Sequence, residues 1–247
     1  MGRPPSVIGV VQARAGSSRL PGKVLKPLLG RSVLGWTVRA AQESGVLADV
    51  VVATSDLPGD DVVAAHGHDL GVTVVRGPED DVLTRFLGVL DARSPDVVVR
   101  LTADCPLLDP ALIRLAVRTF LAAEGSLDYL STVLDPSLPR GLDVEVVSAE
   151  SLRRVSIDAR GPDRVHVTSA VYGSPDRYAV AGLTFRPSAH DLRVTLDTAD
   201  DLRLLEAVVA EIGDRPPPWR ELVALLRRRP DLTALNAHVR QKSLDEG

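Results

Sequence analysis

Apolar residues in the first hundred positions come in continuous runs: VIGVVQ at Val7–Gln12, DVVVAT at Asp49–Thr54, VTVV at Val72–Val75 and DVVVRLT at Asp96–Thr102. A strand wetted on one face alternates apolar with polar. A run without alternation marks a strand covered on both faces, as in a parallel sheet. Between these runs, Ser32–Glu43, Gly59–Leu70 and Asp80–Ala92 read as helices. Strand alternating with helix predicts βαβ units and an α/β fold. The next helix is marked by Asp109, a capping residue, and Pro110, suited to a first turn. After Gly125 the rhythm changes to shorter strands, around Asp128–Ser131, Leu142–Val147, Arg177–Leu183 and Asp191–Leu196. A helix beginning after Thr198 carries the T-x-x-D of a capping box, Thr198 with Asp201. Arg215–Pro218 breaks it, and two short helices close the chain. No repeat or low-complexity segment interrupts the pattern. One domain over 1–247 is expected, with a smaller lobe or dimerisation arm from about 126 onward.

Composition narrows the class. The chain has 247 residues, 45% hydrophobic and 25% charged, with a net charge of -4. That is ample chain for one large core. No window is apolar for long enough to span a membrane, and MGRPPS lacks the apolar core of a signal peptide. The single cysteine, Cys105, excludes an internal disulfide and fits a reducing cytoplasm. The slightly acidic balance argues against a nucleic-acid binder. Trp36, Trp219 and a few tyrosines are too scattered for a base-stacking surface. Any bound anion must therefore be held by a local cluster.

One such cluster is QARAGSSRLPGK, Gln12–Lys23, at the carboxyl end of the first strand, where open α/β sheets bind ligands. Gly16 and Gly22 allow close backbone approach, and Arg14, Arg19 and Lys23 supply charge for a polyphosphate. The alternative is a solvated basic loop. Five residues separate the glycines and Val24 follows the lysine, so the segment is not a Walker A loop. VVVRLTADCPLLDP places Asp104 at the end of a buried strand, and LRVTLDT places Asp197 at the end of another. Two such carboxylates can converge on a hard Mg²⁺ beside a substrate phosphate. Taken singly, each reads equally as a turn former or cap, as Asp109 does.

QARAGSSRLPGKVLKPL, VVATSD, RGPEDDVL, VRLTADCPLLDP, PRGLDVEV and VTLDTADDL, in this order, resemble the cytidylyltransferase family. They are most similar to its spore-coat polysaccharide biosynthesis protein F-like branch, related to the CMP-sugar synthetases for 3-deoxy-octulosonate and nonulosonate acids. The resemblance covers nearly the whole chain, through LNAHVRQKS. It implies a nucleotide-diphospho-sugar transferase fold (glycosyltransferase-A-like, Rossmann-like), a sandwich with a mostly parallel central sheet. It also implies a cytoplasmic, Mg²⁺-dependent enzyme, a homodimer, that transfers CMP from CTP to a small-molecule acceptor and releases pyrophosphate. Residues 1–125 would form the nucleotide-binding half and 126–247 the acceptor-binding or dimerisation half. Gln12, Ala13, Arg14, Gly16, Ser17, Arg19 and Lys23 would wrap the nucleotide, with Thr54 and the Arg76–Asp80 stretch near the nucleoside. Asp104 and Asp197 would hold Mg²⁺, with Arg14 and Lys23 catalytic beside them. Arg140, Asp143, Glu145, His166 and Thr168 would face the acceptor, an acidic sugar or related compound. Ala15 and Ser18 replace the usual Met and Thr, Ala103 stands for a common Gly, and Val165 replaces an acidic residue.

Several residues carry a second reading. His166, set on a helix beside Val165 and Val167, suits packing as well as it suits a base. Asp143 and Glu145 alternate and point one way, toward an acceptor hydroxyl or simply toward solvent. Cys105 reads as a packing residue, and His66 and His68 as solvent-facing. Two rival functions use the same fold. A nucleotide-sugar-dependent glycosyltransferase would carry D-x-D where Asp104-Cys105-Pro106 stands. A non-catalytic nucleotide-binding protein would lose a metal aspartate or the loop lysine, and Asp104, Asp197 and Lys23 are all present.

Overall fold

The computed structural model describes residues 3–240. Its centre is a seven-stranded sheet formed by β1 (Val7–Gln12), β4 (Asp49–Ser55), β5 (Thr73–Gly77), β6 (Val97–Thr102), β7 (Tyr129–Ser131), β8 (Glu145–Ser148) and β9 (Val180–Gly182). The spatial order is β5-β4-β1-β6-β8-β7-β9. β1 pairs in parallel with β4 and β6, and β4 with β5, as the continuous apolar runs predict. β8 runs antiparallel to both β6 and β7, so the sheet is mixed on that side. A two-stranded ribbon, β2 (Pro27–Leu28) with β3 (Arg31–Ser32), lies outside the main sheet.

Successive strand residues feed opposite faces, as the two-residue period of a strand requires. Val7, Val11, Val97, Val99 and Leu101 enter one core with α1 (Val33–Glu43), α4 (Pro110–Ala122), α8 (Ala199–Ile212) and α9 (Trp219–Arg228). Ile8, Val10 and Val98 enter the other, with α3 (Val82–Arg93) and α5 (Ala149–Asp158). α2 (Asp61–Asp69) follows β4, and α10 (Pro230–Thr233) follows α9. Among the described residues, no helix is long and apolar enough to cross a membrane.

The second half departs from the sequence reading in several places. The strand expected over Arg177–Leu183 shortens to β9. Asp191–Leu196 is not a strand; it is an extended segment bridged to the fold at Arg193–Arg140. Two unforeseen helices, α5 and α7 (Ser169–Tyr172), occupy the stretch before β9, and between them the helix expected around His166 is the short α6 (Pro162–Val165). His66 does not face solvent freely: its Nε2 lies 2.6 Å from the Oγ of Ser32, the residue that caps α1. The Thr198–Asp201 capping box is formed as read, at the start of α8.

The crossing of the 139–142 and 192–196 segments positions the site. Arg140 N donates to Leu192 O at 2.9 Å, and Val194 N to Arg140 O at 2.8 Å. The two backbones touch at Gly141, with φ +102; a Cβ there would sit 2.6 Å from Thr195 N. No side chain fits between them. Gly22 also has positive φ, +66, but space for a Cβ is open. Gly141→Ala is expected to lower stability by at least about 2 kcal/mol, from conformational strain and backbone displacement together. For a chain of this size that is a drop of about 4–8 °C in Tm. Gly22→Ala should cost about 1–2 kcal/mol, the left-handed penalty alone. Melting curves of the two variants check the order; equal shifts would mean that the close approach contributes nothing.

Candidate active site

The sheet reverses its build direction between β1 and β6, and the carboxyl ends of these strands open a cavity of about 230 Å³. Open α/β sheets bind ligands at such a switch point. Gln12, Ala13, Arg14, Gly16, Ser17, Arg19 and Lys23 line it from one side; Thr102, Asp104 and Asp197 line it from the other. The loop after β1 is held by a carboxylate that the sequence reading overlooked. Asp60 is buried; it accepts from Ala15 N at 2.6 Å, from Ser55 N at 3.2 Å and from the Ser55 hydroxyl. Gly22 N closes the loop onto Ala15 O at 2.9 Å, and the left-handed Gly22 starts a short helical turn, Lys23–Leu25. That turn aims Lys23 back into the cavity.

Lys23 Nζ lies 2.6 Å from Asp104 Oδ2 and 2.8 Å from Asp197 Oδ1. The two aspartates are neighbours because Leu196 N donates to Asp104 O at 2.8 Å. The other oxygen of Asp197, Oδ2, receives Arg193 at 2.5 Å and Arg19 at 3.1 Å. Arg193 is anchored by Asp201 Oδ1 at 2.9 Å, and Asn236 donates to that same oxygen at 2.8 Å. Asp201 Oδ2 in turn accepts from the amides of Asp197 and Thr198, both at 2.9 Å. Burial alone would raise the Asp197 carboxyl; the charge and hydrogen bond of Lys23, with Arg193 and Arg19, outweigh it and hold the group at about 2. Burial works against the Lys23 ammonium too, and the same two carboxylates keep its pKa above the ordinary lysine value.

A second cavity, about 470 Å³, shares Thr102 with the first. Arg140, Asp143, Glu145, His166, Thr168, Arg100 and Tyr172 all line it. Arg100 on β6 stands opposite Glu145 on β8 in the ladder, and the two form a buried ion pair. Glu145 Oε2 also accepts from Tyr129 OH at 2.8 Å and Thr168 Oγ1 at 2.5 Å. Glu145 is thus not on a solvated strand face but is fully engaged. Asp143, just ahead of β8, is different: burial, then the Glu145 charge, push its carboxyl up to about 6 against the pull of Arg140. His166 is not helical; it sits in the turn between α6 and α7, next to Val167 at φ 46. A β-branched residue in the left-handed region is strained, and such strain concentrates at functional sites.

Three expected residues lie elsewhere. Thr54 is fully buried inside β4. Arg76 spends its guanidinium on Ser55 O at 2.8 Å, Leu57 O at 2.9 Å and Asp61 at 2.7 Å, because β5 is the sheet edge and faces the start of α2. Asp80 is exposed, and it is Glu79 that approaches Arg14, at 3.5 Å. Beneath them Arg85 is buried and donates to Glu79 O at 3.3 Å, while its Nε and Nη1 have no partner. Arg85 and Arg100 share one sequence signal, an arginine inside an otherwise apolar run. Among the described residues no cluster of three or more His, Cys, Asp or Glu forms a metal cage. The Asp104–Asp197 pair does present two carboxylate oxygens to one cation, Lys23. Such a donor set suits Mg²⁺, which keeps waters and substrate oxygens for its other positions.

A family model described as Cytidylyltransferase matches residues 8–163. The spore coat polysaccharide biosynthesis protein SpsF of Bacillus subtilis (strain 168) is 35% identical over 234 residues, covering 91% of this chain and 95% of that one. Among solved structures, a cytidylyltransferase from Leptospira borgpetersenii superposes with a TM-score of 0.90 at 26% identity, over 97% of this chain and 99% of that one. A CMP:2-keto-3-deoxy-manno-octonic acid synthetase complexed with CTP shares the fold, with a TM-score of 0.66 at 17% identity, over 84% of this chain and 100% of the other.

Asp60 is the structural test of the first cavity. Asp60→Ala leaves the Ala15 and Ser55 amides without their acceptor, and a buried donor so stranded, as at Ser55, costs about 1–3 kcal/mol. The expected result is a lower Tm with faster hydrogen exchange at both amides. Unchanged exchange at Ala15 would show that the loop keeps its shape without the carboxylate.

Proposed function

The chain belongs to the cytidylyltransferase family, whose members are nucleotidyltransferases, and we propose that it transfers CMP from CTP to a hydroxyl of a small, hydroxyl-rich acidic acceptor in surface-polysaccharide biosynthesis. The observation that carries this reading is the meeting of Lys23, Asp104 and Asp197 at the mouth of the β1–β6 cavity, beside the glycine-containing loop. A lysine and two carboxylates drawn from positions up to 174 residues apart form a centre for handling phosphate charge. Consumption of CTP fits a cytoplasmic enzyme.

Arg14, Arg19 and Lys23 receive the triphosphate, and the loop amides add donors along it. In-line attack at the α-phosphorus asks little covalent work of the protein; positioning and charge stabilisation supply the rate. Removing one such stabilising contact costs about 3 kcal/mol of barrier, roughly a hundredfold. Mg²⁺, held by Asp104 and Asp197, would polarise the α-phosphate when bound. In the neighbouring cavity, Arg140 takes the acceptor's anionic group. Thr168 and Tyr172 orient its hydroxyls, and the apolar wall of Val133, Pro136 and Leu138 limits water. Glu145 is saturated by Arg100, Tyr129 and Thr168, so Asp143 is the carboxylate that accepts the proton from the attacking hydroxyl.

Base choice tests the function. Cytosine presents an amino donor where uracil presents a carbonyl; a site with a carbonyl aimed at that position leaves it unpaired with uracil, at about 1–3 kcal/mol. CTP should bind at least tenfold more tightly than UTP, ATP or GTP, and pyrophosphate release with a panel of acidic sugars should require CTP. A preference for UTP or a purine nucleotide would defeat the assignment. The second expectation concerns pH. Asp143 accepts a proton only as the carboxylate, and its raised pKa places the loss of that form near pH 6. The rate should therefore fall as pH drops through about 6. Asp143→Asn should lower kcat by at least about a hundredfold and remove that limb from its residual rate. A limb that survives the substitution belongs to another group.

A further inference from the structure

The Lys23 ammonium stands where a divalent cation would stand. Its Nζ is within hydrogen-bond distance of one oxygen from each carboxylate, Asp104 Oδ2 at 2.6 Å and Asp197 Oδ1 at 2.8 Å. Asp197 has no choice of oxygen, because Oδ2 is taken by Arg193 at 2.5 Å and Arg19 at 3.1 Å. The Lys23 side chain is 14% exposed, so water does little to screen the three groups from one another. Mg²⁺ needs carboxylate oxygens at about 2.0–2.1 Å in near-octahedral array. It cannot take up these two oxygens while an ammonium holds them, and a dication beside that ammonium would be repelled. Lys23 therefore has to leave before a metal ion can settle.

The same cavity supplies the group that moves it. Lys23 shares the wall with Arg14, Gly16, Ser17 and Arg19, the phosphate side, as well as with the two aspartates. A polyphosphate entering there offers the ammonium a new partner of higher charge. Resting on the nucleotide and metal reading above, we propose that Lys23 is a built-in place-holder for the divalent cation. It keeps the free protein from loading metal alone and yields the site only when the nucleotide draws it onto the phosphates. Metal and nucleotide then load as one unit. The lysine thus has two positions, one neutralising the empty carboxylate pair and one on the triphosphate.

The place-holding is read from metal binding alone, without turnover. Mn²⁺ serves as the probe, titrated by calorimetry and by the paramagnetic signal of free Mn²⁺ into the full chain without nucleotide. Lys23→Met should bind Mn²⁺ at least tenfold more tightly than the unsubstituted protein. Equal or weaker binding by the variant overturns the place-holding. Saturating CTP should raise the Mn²⁺ affinity of the unsubstituted protein strongly and that of Lys23→Met by a smaller factor, since the variant has no ammonium to remove. An equal factor in both proteins also overturns it. If Mn²⁺ binds neither protein even with CTP present, the metal reading itself falls, and the proposal with it. Lys23→Met leaves two carboxylates facing each other and is expected to melt lower in EDTA and to recover with Mn²⁺. Should it not fold, Lys23→Gln, one atom shorter, keeps an amide donor without the charge, and the same tenfold criterion applies to it.

Discussion

One ammonium between two carboxylates joins the parts of this fold that sequence keeps furthest apart. Lys23 comes from the first connection, Asp104 from the end of β6 and Asp197 from the entry to α8. Taking such charges out of water costs several kcal/mol each unless every lone pair and proton finds a partner. The surrounding network meets that condition for Asp197 and Asp201. Arg193 and Arg19 take the second Asp197 oxygen, Asp201 anchors Arg193, and Asn236 anchors Asp201. With several donors on each of Asp197 and Asp201, the network fixes the orientation of both carboxylates.

The rest of the architecture serves to bring these groups together. Parallel pairing of β1 with β6 sets Gln12 beside Thr102 in register, so the two strand ends open into one cavity. The extended segment before Asp197 contributes through a backbone amide and a hydroxyl: Leu196 N and Thr195 Oγ1 both donate to Asp104 O, at 2.8 and 3.2 Å. Gly141 then lets the 139–142 segment cross this one at contact distance, which sets Arg140 and Asp143 in the neighbouring cavity. Three backbone segments thus define two adjoining cavities, and Thr102 lies in the wall of both.

The parallel half was legible because a strand covered on both faces has no polar position to spare, and VIGVV and DVVVRLT advertise that. The second half was not. Its strands are three or four residues long, too short for periodicity to separate them from turns, and α5 was missed entirely. The same limit explains the site. Asp104 and Asp197 were readable as carboxylates closing apolar runs, although the second run is extended backbone tied down at Arg140 and Asp104 rather than a ladder strand. Asp60 was not readable, because its role is to accept from amides at Ala15 and Ser55, and pairing of that kind leaves no pattern in one chain. The contacts of Arg76 were hidden for a related reason: β5 is the sheet edge, where its guanidinium finds backbone carbonyls and Asp61.

The second cavity holds two acids, two residues apart, in different surroundings. Glu145 lies in the β8 ladder opposite Arg100, where a counter-charge and two hydroxyl donors stabilise its carboxylate. Asp143 precedes the ladder, and its nearest compensating cation, Arg140, is exposed to solvent. Burial, together with the neighbouring Glu145 charge, raises its pKa. The Glu145 charge that pairs with Arg100 is thus also part of what lifts Asp143. Val167 fits the same logic. Its left-handed backbone is sterically costly, yet it turns Thr168 onto Glu145 and leaves His166 on the cavity wall. The Val167 side chain itself is fully buried in the second core, so the strained turn serves packing and the polar wall at once.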